Sequence, residues 1–212
     1  MKEDILEQLV DDYFLRKLST FTKHNIKFKP DMKDISHLDK KTKSRYSVSS
    51  DIDVIAIHLD QYREKRVSVV SCKSWQSGFD IDFFYEHLID KDKRNVRVGA
   101  NEAWKKFREL VEEKWAKAFR DTIYKETKSY DFTYYIAVTK FRQQNKIEDF
   151  KNCKLFLNNL SDNGKHNVKI NFLTLEEILN EIYGEHSSTT LEATEIGRFI
   201  QLIKAAKIRI EK

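Results

Sequence analysis

The stretch SVSSDIDVIAIHLDQYREKRVSVVSCKS, Ser47–Ser74, contains two strand-like segments joined by a short polar turn. The centre of the first segment, Val54–Ile57, is apolar on both faces, which is typical of a strand inside a sheet. The short turn DQYREK indicates that the two strands form an antiparallel hairpin. This pattern therefore predicts two neighbouring strands of a central sheet.

Polar side chains gather at one end of this hairpin. Because side chains alternate between the two faces of a strand, Ser71 and Lys73 continue a face that begins with valines. Asp51 and Asp53 share a face of the first strand, and antiparallel pairing brings Asp53 opposite the Ser71–Lys73 end. Carboxylates at a sheet rim suit Mg²⁺, and a nearby lysine can stabilise charge on a phosphate or activate water. A cross-strand salt bridge, or a lysine reaching out to water, fits the same spacing.

The rest of the chain predicts an α/β fold with a mixed central sheet flanked by helices. Helical spacing or strand alternation assigns helices to 3–18, 79–89, 101–127, 146–160, 174–184 and 194–207, and further strands to 25–29, 131–141 and 167–174. In the helix 174–184, Thr174 and Glu177 form a capping-box pattern. We expect one domain over 1–212, with the candidate site within 1–90 and a helical C-terminal appendage at 185–212.

Composition narrows the class of protein. The 212 residues carry a net charge of +5, a mild basic excess that permits an anionic partner such as nucleic acid without requiring one. The two cysteines are far apart and form neither a disulfide framework nor a zinc pattern. The acidic, amphipathic start and the lack of an 18-residue apolar run predict a soluble cytoplasmic protein with no membrane span. No glycine-rich phosphate loop is present, which argues against an NTPase.

Three stretches, ILEQLVDDYFLRKL, DIDVIAI and VVSCKSW, together resemble the PD-(D/E)XK, or restriction-endonuclease-like, nuclease superfamily. The nearest likeness is to archaeal Holliday-junction resolvases and short restriction-type endonuclease domains. The resemblance implies a restriction-endonuclease-like fold and Mg²⁺- or Mn²⁺-dependent cleavage of DNA in restriction, defence or repair. It also implies that Asp53 holds the metal, Lys73 positions or activates water, and Glu7 contacts the metal through water. A homodimer is compatible with cutting two strands.

Ser71 departs from the pattern of the superfamily, which has an acidic residue at this position. One explanation is a relocated acid, either Asp51 on the same strand face or an acid of the following helix. The candidates in that helix are Asp80, Asp82 and Glu86. A second explanation is a weak metal site in a slow nuclease. The third is an inactive site in a fold that binds nucleic acid or a protein partner.

Further residues are candidates for contact with nucleic acid. Gln76 follows the hairpin and can bond a phosphate, while Trp75 either stacks on a base or packs under the next helix, as tryptophans more often do. Two groups of cations could reach a phosphate backbone. One is the basic run formed by Lys40, Lys41, Lys43 and Arg45, and the other comprises Lys105, Lys106 and Arg108.

Overall fold

The computed structural model describes residues 4–31, 48–99 and 101–183, together with residue 198. The basic run at 40–45 lies outside these residues, and so does the predicted appendage at 185–212 apart from Arg198, which is helical. The helices are α1 Ile5–Leu15, α2 Ile81–Ile89, α3 Arg108–Val111, α4 Glu113–Thr127, α5 Ile147–Lys151, α6 Lys154–Ser161 and α7 Leu175–Tyr183. The strands are β1 Thr20–Phe28, β2 Ser50–His58, β3 Val67–Lys73, β4 Phe79–Asp80, β5 Arg97–Val98, β6 Asn101–Glu102, β7 Phe132–Val138, β8 Phe141–Gln143 and β9 Val168–Thr174.

A five-stranded mixed sheet with the strand order β1-β2-β3-β7-β9 forms the centre of the described fold. The pairs β1–β2 and β2–β3 are antiparallel, whereas β3–β7 and β7–β9 are parallel. The predicted hairpin is therefore confirmed, with Val54 opposite Val70. The predicted mixed sheet is confirmed as well. Two small two-stranded sheets, β4–β8 and β5–β6, lie outside it.

Helices cover both faces of the sheet, because side chains alternate and each face buries its own apolar set. One core joins α4 to the strands through large buried side chains: Trp115, Phe119 and Ile123 of α4, and Phe28, Phe132 and Tyr134 of the sheet. The other core joins α1 and α7 to the opposite face: Leu6, Leu9, Val10, Phe14, Ile178 and Ile182 pack on Val54, Ala56 and Val70. Within the described residues, no helix is long and apolar enough to cross a membrane.

Local capping explains where two of these helices begin. Asp4 precedes α1, and its Oδ1 accepts the N–H of Leu6 at 2.9 Å. The capping box predicted before α7 is confirmed, since Thr174 N–H donates to Glu177 at 2.7 Å and Glu177 N–H donates to the Thr174 hydroxyl oxygen at 3.2 Å. Each bond satisfies a backbone donor that the helix itself leaves unpaired.

The single helix predicted for 101–127 is wrong. This segment forms a 3₁₀ turn at Ala103–Lys106 and the two helices α3 and α4. The backbone is non-helical at Phe107 (φ −146°, ψ 49°) and extended at Glu112 (φ −124°, ψ 113°). The ring of Phe107 packs on Phe79 and Phe84, at centroid distances of 5.8 and 5.4 Å. Tertiary packing therefore overrides local helix propensity here. The helix predicted for 146–160 is likewise divided into α5 and α6.

Candidate functional site

The hairpin opens at its polar end. Pairing between β2 and β3 stops at Val54 and Val70, and the same register carried one step further places Asp53 opposite Ser71. Beyond this point a side chain of β2 accepts a backbone N–H of β3: Asp53 Oδ2 accepts the N–H of Cys72 at 2.6 Å. This bond fixes the half-buried carboxylate at the rim of the sheet, at the Ser71–Lys73 end that hairpin pairing predicts.

A cavity of about 280 Å³ opens at this rim. Residues of β2 and β3 form one wall of this cavity, and residues of the 3₁₀ turn and of α3 form another. The charged residues that line it are the acids Asp51, Asp53 and Glu109 and the cations Lys73, Lys105, Lys106 and Arg108. Acids that can hold a metal and cations that can hold a phosphate therefore meet in one concave space.

Lys73 lines the same cavity as these acids. Its Nζ donates to the Ser71 hydroxyl oxygen at 2.6 Å and lies 5.2 Å from the ring centroid of Phe107. Burial raises the pKa of Asp53, and the positive charge of Lys73 opposes that rise. The same charge counteracts the raised pKa of Glu109. Lys73 is thus close enough to act electrostatically on both carboxyl groups.

Glu109 is the acid that the sequence interpretation missed. It is 5% exposed, and its Oε1 accepts the hydroxyl of Tyr134 at 2.5 Å. Burial raises the pKa of Glu109, while the Tyr134 hydrogen bond and the charge of Lys73 oppose the rise. On one continuous helix Glu109 would lie opposite the apolar stripe and face solvent. The backbone break at Phe107 turns it inward instead, and no glycine or proline signals that break.

The acids proposed to replace Ser71 lie in different places. Asp51 lines the cavity and is exposed, with Lys27 Nζ 3.5 Å from its Oδ1. Asp80 caps α2 by accepting the N–H of Phe83 at 2.9 Å, so its carboxylate is used locally.

Two further acidic candidates lie on α2. Asp82 accepts the backbone N–H of Lys146 at 2.8 Å and the side-chain amide of Asn145 at 2.7 Å. Glu86 is exposed on the same helix and does not line the cavity. The structure therefore brings Asp51 and Glu109 to Asp53, but not Asp80, Asp82 or Glu86.

Glu7 lies on α1, close to the end of β3. Burial raises the pKa of the Cys72 thiol, and the charges of Asp53, Glu7 and Asp4 add to that rise. Asp4 also accepts the hydroxyl of Ser74, which ties the start of α1 to the residue after Lys73. Glu7 is thus brought next to the hairpin end, although it is not among the residues that line the cavity.

Arg108 has an unusual environment on the α3 wall. Its guanidinium carbon lies 4.6 Å from the ring centroid of Trp115 and 5.9 Å from that of Trp104. Its Nε and Nη1 atoms are buried and have no hydrogen-bond acceptor in the described part of the chain. Buried donors without acceptors cost free energy. An anion bound here would supply the hydrogen-bond acceptors that the described residues do not.

Two lysines beside Arg108 strengthen the positive wall. Burial and the charge of Lys73 lower the pKa of Lys106, whereas Lys105 lies 3.2 Å from Glu102. The mutual repulsion of Lys73 and Lys106 means that a bound anion would relieve an existing electrostatic cost.

The two residues that follow the hairpin differ in environment. Trp75 stacks on Phe84 of α2 with ring centroids 5.2 Å apart, so the packing interpretation fits its position. Gln76 is exposed in the turn that follows. Gln76 is not among the residues that line the cavity.

Comparisons with known proteins add no assignment, since no family model, curated protein or solved structure significantly matches the chain. Among the described residues, no group of three or more His, Cys, Asp and Glu side chains is arranged to hold a metal ion. A pair of carboxylates is nevertheless a sufficient protein contribution for Mg²⁺, which keeps several waters and takes further ligands from a phosphate substrate.

Proposed function

We propose that this protein is a Mg²⁺- or Mn²⁺-dependent nuclease that hydrolyses phosphodiester bonds of DNA, built on a restriction-endonuclease-like fold. The observation that carries this proposal is the meeting of Asp53, Glu109 and Lys73 in one cavity at the open end of the hairpin. Metal-dependent phosphodiester hydrolysis needs two carboxylates and one lysine at a sheet rim. Here the second carboxylate is supplied by Glu109 of α3, because the strand position of Ser71 has no acid.

The donor set of the cavity fits a hard divalent cation. Asp53 and Glu109 offer carboxylate oxygens, the ligands that Mg²⁺ prefers, and Asp51 adds a third acid near the mouth. Asp53 and Glu109 would therefore hold the ion. When bound, the ion supplies Lewis-acid charge and a nucleophile at neutral pH.

The chain's own residues hold the substrate and respond to the charge that develops. Lys73 lies where it can stabilise negative charge on the phosphate oxygens, since it already acts on both carboxyl groups. Arg108, Lys105 and Lys106 would bind phosphate oxygens along the opposite wall. The bonds of Cys72 N–H to Asp53 and of Tyr134 to Glu109 fix both carboxylates in advance, which removes reorganisation from the reaction.

Protonation of Glu109 would compete with a cation for this site. Burial raises the pKa of Glu109, so its neutral form is favoured more than that of an exposed glutamate. A cation must displace that proton, and its affinity therefore rises with pH through the raised pKa.

The alternative function is a nucleic-acid-binding or protein-interaction module without catalysis. The observation that favours it is Ser71, whose hydroxyl oxygen accepts from Lys73 where the superfamily has an acid. If Ser71 and Lys73 form the end of the hairpin and Glu109 always stays neutral, the cations of the site would bind phosphate, but no second carboxylate would hold a metal for cleavage.

Some properties of the proposal rest on the resemblance and not on the cavity. These are DNA as the preferred nucleic acid, a role in restriction, defence or repair, a homodimer that presents two sites, and a cytoplasmic location. They belong to the same proposal as what the resemblance to the superfamily implies.

The test is cleavage of single-stranded, double-stranded and branched DNA, and of RNA, with Mg²⁺, Mn²⁺ or EDTA. We expect metal-dependent cleavage by the wild type and a loss of at least about 100-fold in Lys73→Ala, since charge-stabilising groups are worth that much in such sites. Lys125→Ala, which changes an exposed lysine on α4, is the matched control. Wild-type rates in Lys73→Ala would contradict the mechanism. Salt-dependent binding with no cleavage would favour the alternative.

A further inference from the structure

A second cavity, of about 360 Å³, lies at the other end of β2 and β3 from the candidate active site. Its floor is the sheet face that α1 covers only in part, because α1 ends at Leu15. Phe14 marks the edge of that cover, since its ring contacts those of His58 and Tyr135 at 5.8 and 5.7 Å. None of the residues proposed for DNA cleavage lines this cavity.

The floor of the cavity is a row of hydrogen-bonded polar side chains. The row begins at Thr20, which lies just outside the lining of the cavity and whose Oγ1 is 2.8 Å from His58 Nδ1. Within the cavity, His58 Nε2 lies 2.9 Å from Ser68 Oγ. The row continues at Tyr135 and Asn171, which also line the cavity, and the side chains of Asn171 and Ser68 lower the pKa of Tyr135 against the effect of burial. One polar residue from each strand of the five-stranded sheet is thus aligned across a single face.

The row carries no net charge at neutral pH. Burial, together with the charge of Lys17, lowers the pKa of His58, so its imidazole is neutral. Burial raises the pKa of Tyr135, so its hydroxyl keeps its proton. Hydroxyl, imidazole and amide groups of this kind can both donate to and accept from the hydroxyl groups of a ligand.

The rim of the cavity is cationic. Lys17 at the end of α1, Lys65 in the β2–β3 connection and Lys169 on β9 all line it, and Asp60 is the acid that lines it with them. Glu64 also lies 2.8 Å from Lys169. Three lysines set against the two acids Asp60 and Glu64 leave one positive charge in excess at the mouth, which attracts anions.

We propose that this cavity binds a small phosphorylated molecule about the size of a mononucleotide. The lysines of the rim hold the phosphate, and the Ser68–Tyr135–Asn171 part of the floor holds the hydroxyl groups of the attached sugar. The volume falls within the range of small-molecule sites, which combine a concave space with a few convergent polar groups. Such a ligand would bind on the face of the sheet opposite α4 and leave the nuclease cavity free.

Calorimetric titration of the full chain in EDTA tests this proposal without metal chemistry at the other site. The probes are AMP and ribose 5-phosphate, with adenosine and inorganic phosphate as comparisons. We expect saturable binding of at least one phosphorylated probe, and weaker binding of adenosine and of inorganic phosphate. Lys65→Ala and Ser68→Ala should each weaken binding by about tenfold, because each removes one bond to the ligand.

Controls separate this site from the nuclease cavity. Asp53→Asn and Lys125→Ala should bind the probe as the wild type does, and thermal melting checks that each variant folds. If Ser68→Ala does not fold, Asn171→Ala tests the floor in its place. The proposal is overturned if neither phosphorylated probe binds saturably or if adenosine or inorganic phosphate binds as tightly. It is also overturned if binding survives both cavity variants or disappears in Asp53→Asn.

Discussion

Replacing Arg108 with methionine should weaken DNA binding without destabilising the fold. In the structure the guanidinium lies between Trp115 and Trp104, and its Nε and Nη1 donors have no acceptor among the described residues. Methionine is unbranched and similar in length, so it can fill the same slot between the rings. The substitution removes the charge and the donors while it keeps most of the packing.

The expected change in stability follows from two opposing contributions. Removing two buried donors without acceptors relieves about 1–3 kcal/mol for each. Losing the cation–π contacts with two tryptophan rings costs about 0.5–2 kcal/mol for each ring. The midpoints of these contributions, about 4 kcal/mol relieved and about 2.5 kcal/mol lost, predict that the free energy of unfolding of Arg108→Met lies about 1.5 kcal/mol above the wild type.

Arg120 on α4 provides a matched control. Its buried guanidinium donates to the backbone oxygen of Asn159 and lies 3.5 Å from Asp162 Oδ1, so its donors are satisfied within the protein. Arg120→Met should lower the free energy of unfolding by about 1.5–3 kcal/mol, as expected for lost hydrogen bonds from a charged group. It should leave DNA affinity unchanged.

Two measurements test the comparison: urea unfolding, and DNA binding over a range of salt concentrations in EDTA. Arg108→Met should bind DNA about tenfold more weakly and reduce the slope of log affinity against log salt by about 0.9, the value for one phosphate contact. If Arg108→Met instead loses as much stability as Arg120→Met and keeps the wild-type salt slope, Arg108 is a structural residue and the reasoning fails.

Three further outcomes follow from the same contacts. Tyr134→Phe removes a hydrogen bond that lowers the pKa of Glu109, so the acidic limb of the pH–rate profile for cleavage should move to higher pH; an unmoved limb would contradict this link. Because burial raises the pKa of Glu109, the folded chain keeps a proton that the unfolded chain releases. The whole stabilising contribution of this carboxyl is present below its ordinary pKa of about 4.3, and it is lost as the pH rises through the raised pKa of the folded state. Glu109→Gln cannot titrate, so this variant should show a weaker dependence of the urea midpoint on pH. Phe119→Ala, at a residue 2% exposed, should lower the free energy of unfolding by about 3–5 kcal/mol, whereas Leu18→Ala, at a residue 86% exposed, should change it by less than about 0.5 kcal/mol.

Local patterns predicted much of the fold. The Ser47–Ser74 stretch indicated the antiparallel hairpin, and the Thr174–Glu177 box marked the start of α7, because strand alternation and capping depend on neighbouring residues. The placement of Asp53 at the Ser71–Lys73 end followed from the hairpin register. Asp80, by contrast, proved to be a helix cap, a role that its position just before an apolar helix also fits.

The missed part of the site depends on distant contacts. Glu109 faces the cavity only because the backbone breaks at Phe107, and that break accompanies the packing of Phe107 on Phe79 and Phe84. The direction of a helical side chain can be inferred from spacing only while the helix is continuous. With no glycine or proline at the break, the sequence offered no local signal that Glu109 would join Asp53.

The most direct test of the central claim, that Glu109 replaces the acid missing at Ser71, is calorimetric titration of Mn²⁺ into three proteins. These are the wild type, Asp53→Asn and Glu109→Gln, each at a pH well above the ordinary range for glutamate. We expect saturable binding by the wild type and at least about tenfold weaker binding by each variant, because each loses one carboxylate ligand. Wild-type affinity in Glu109→Gln, together with lost affinity in Asp53→Asn, would show that Glu109 is not the second ligand and would contradict the claim.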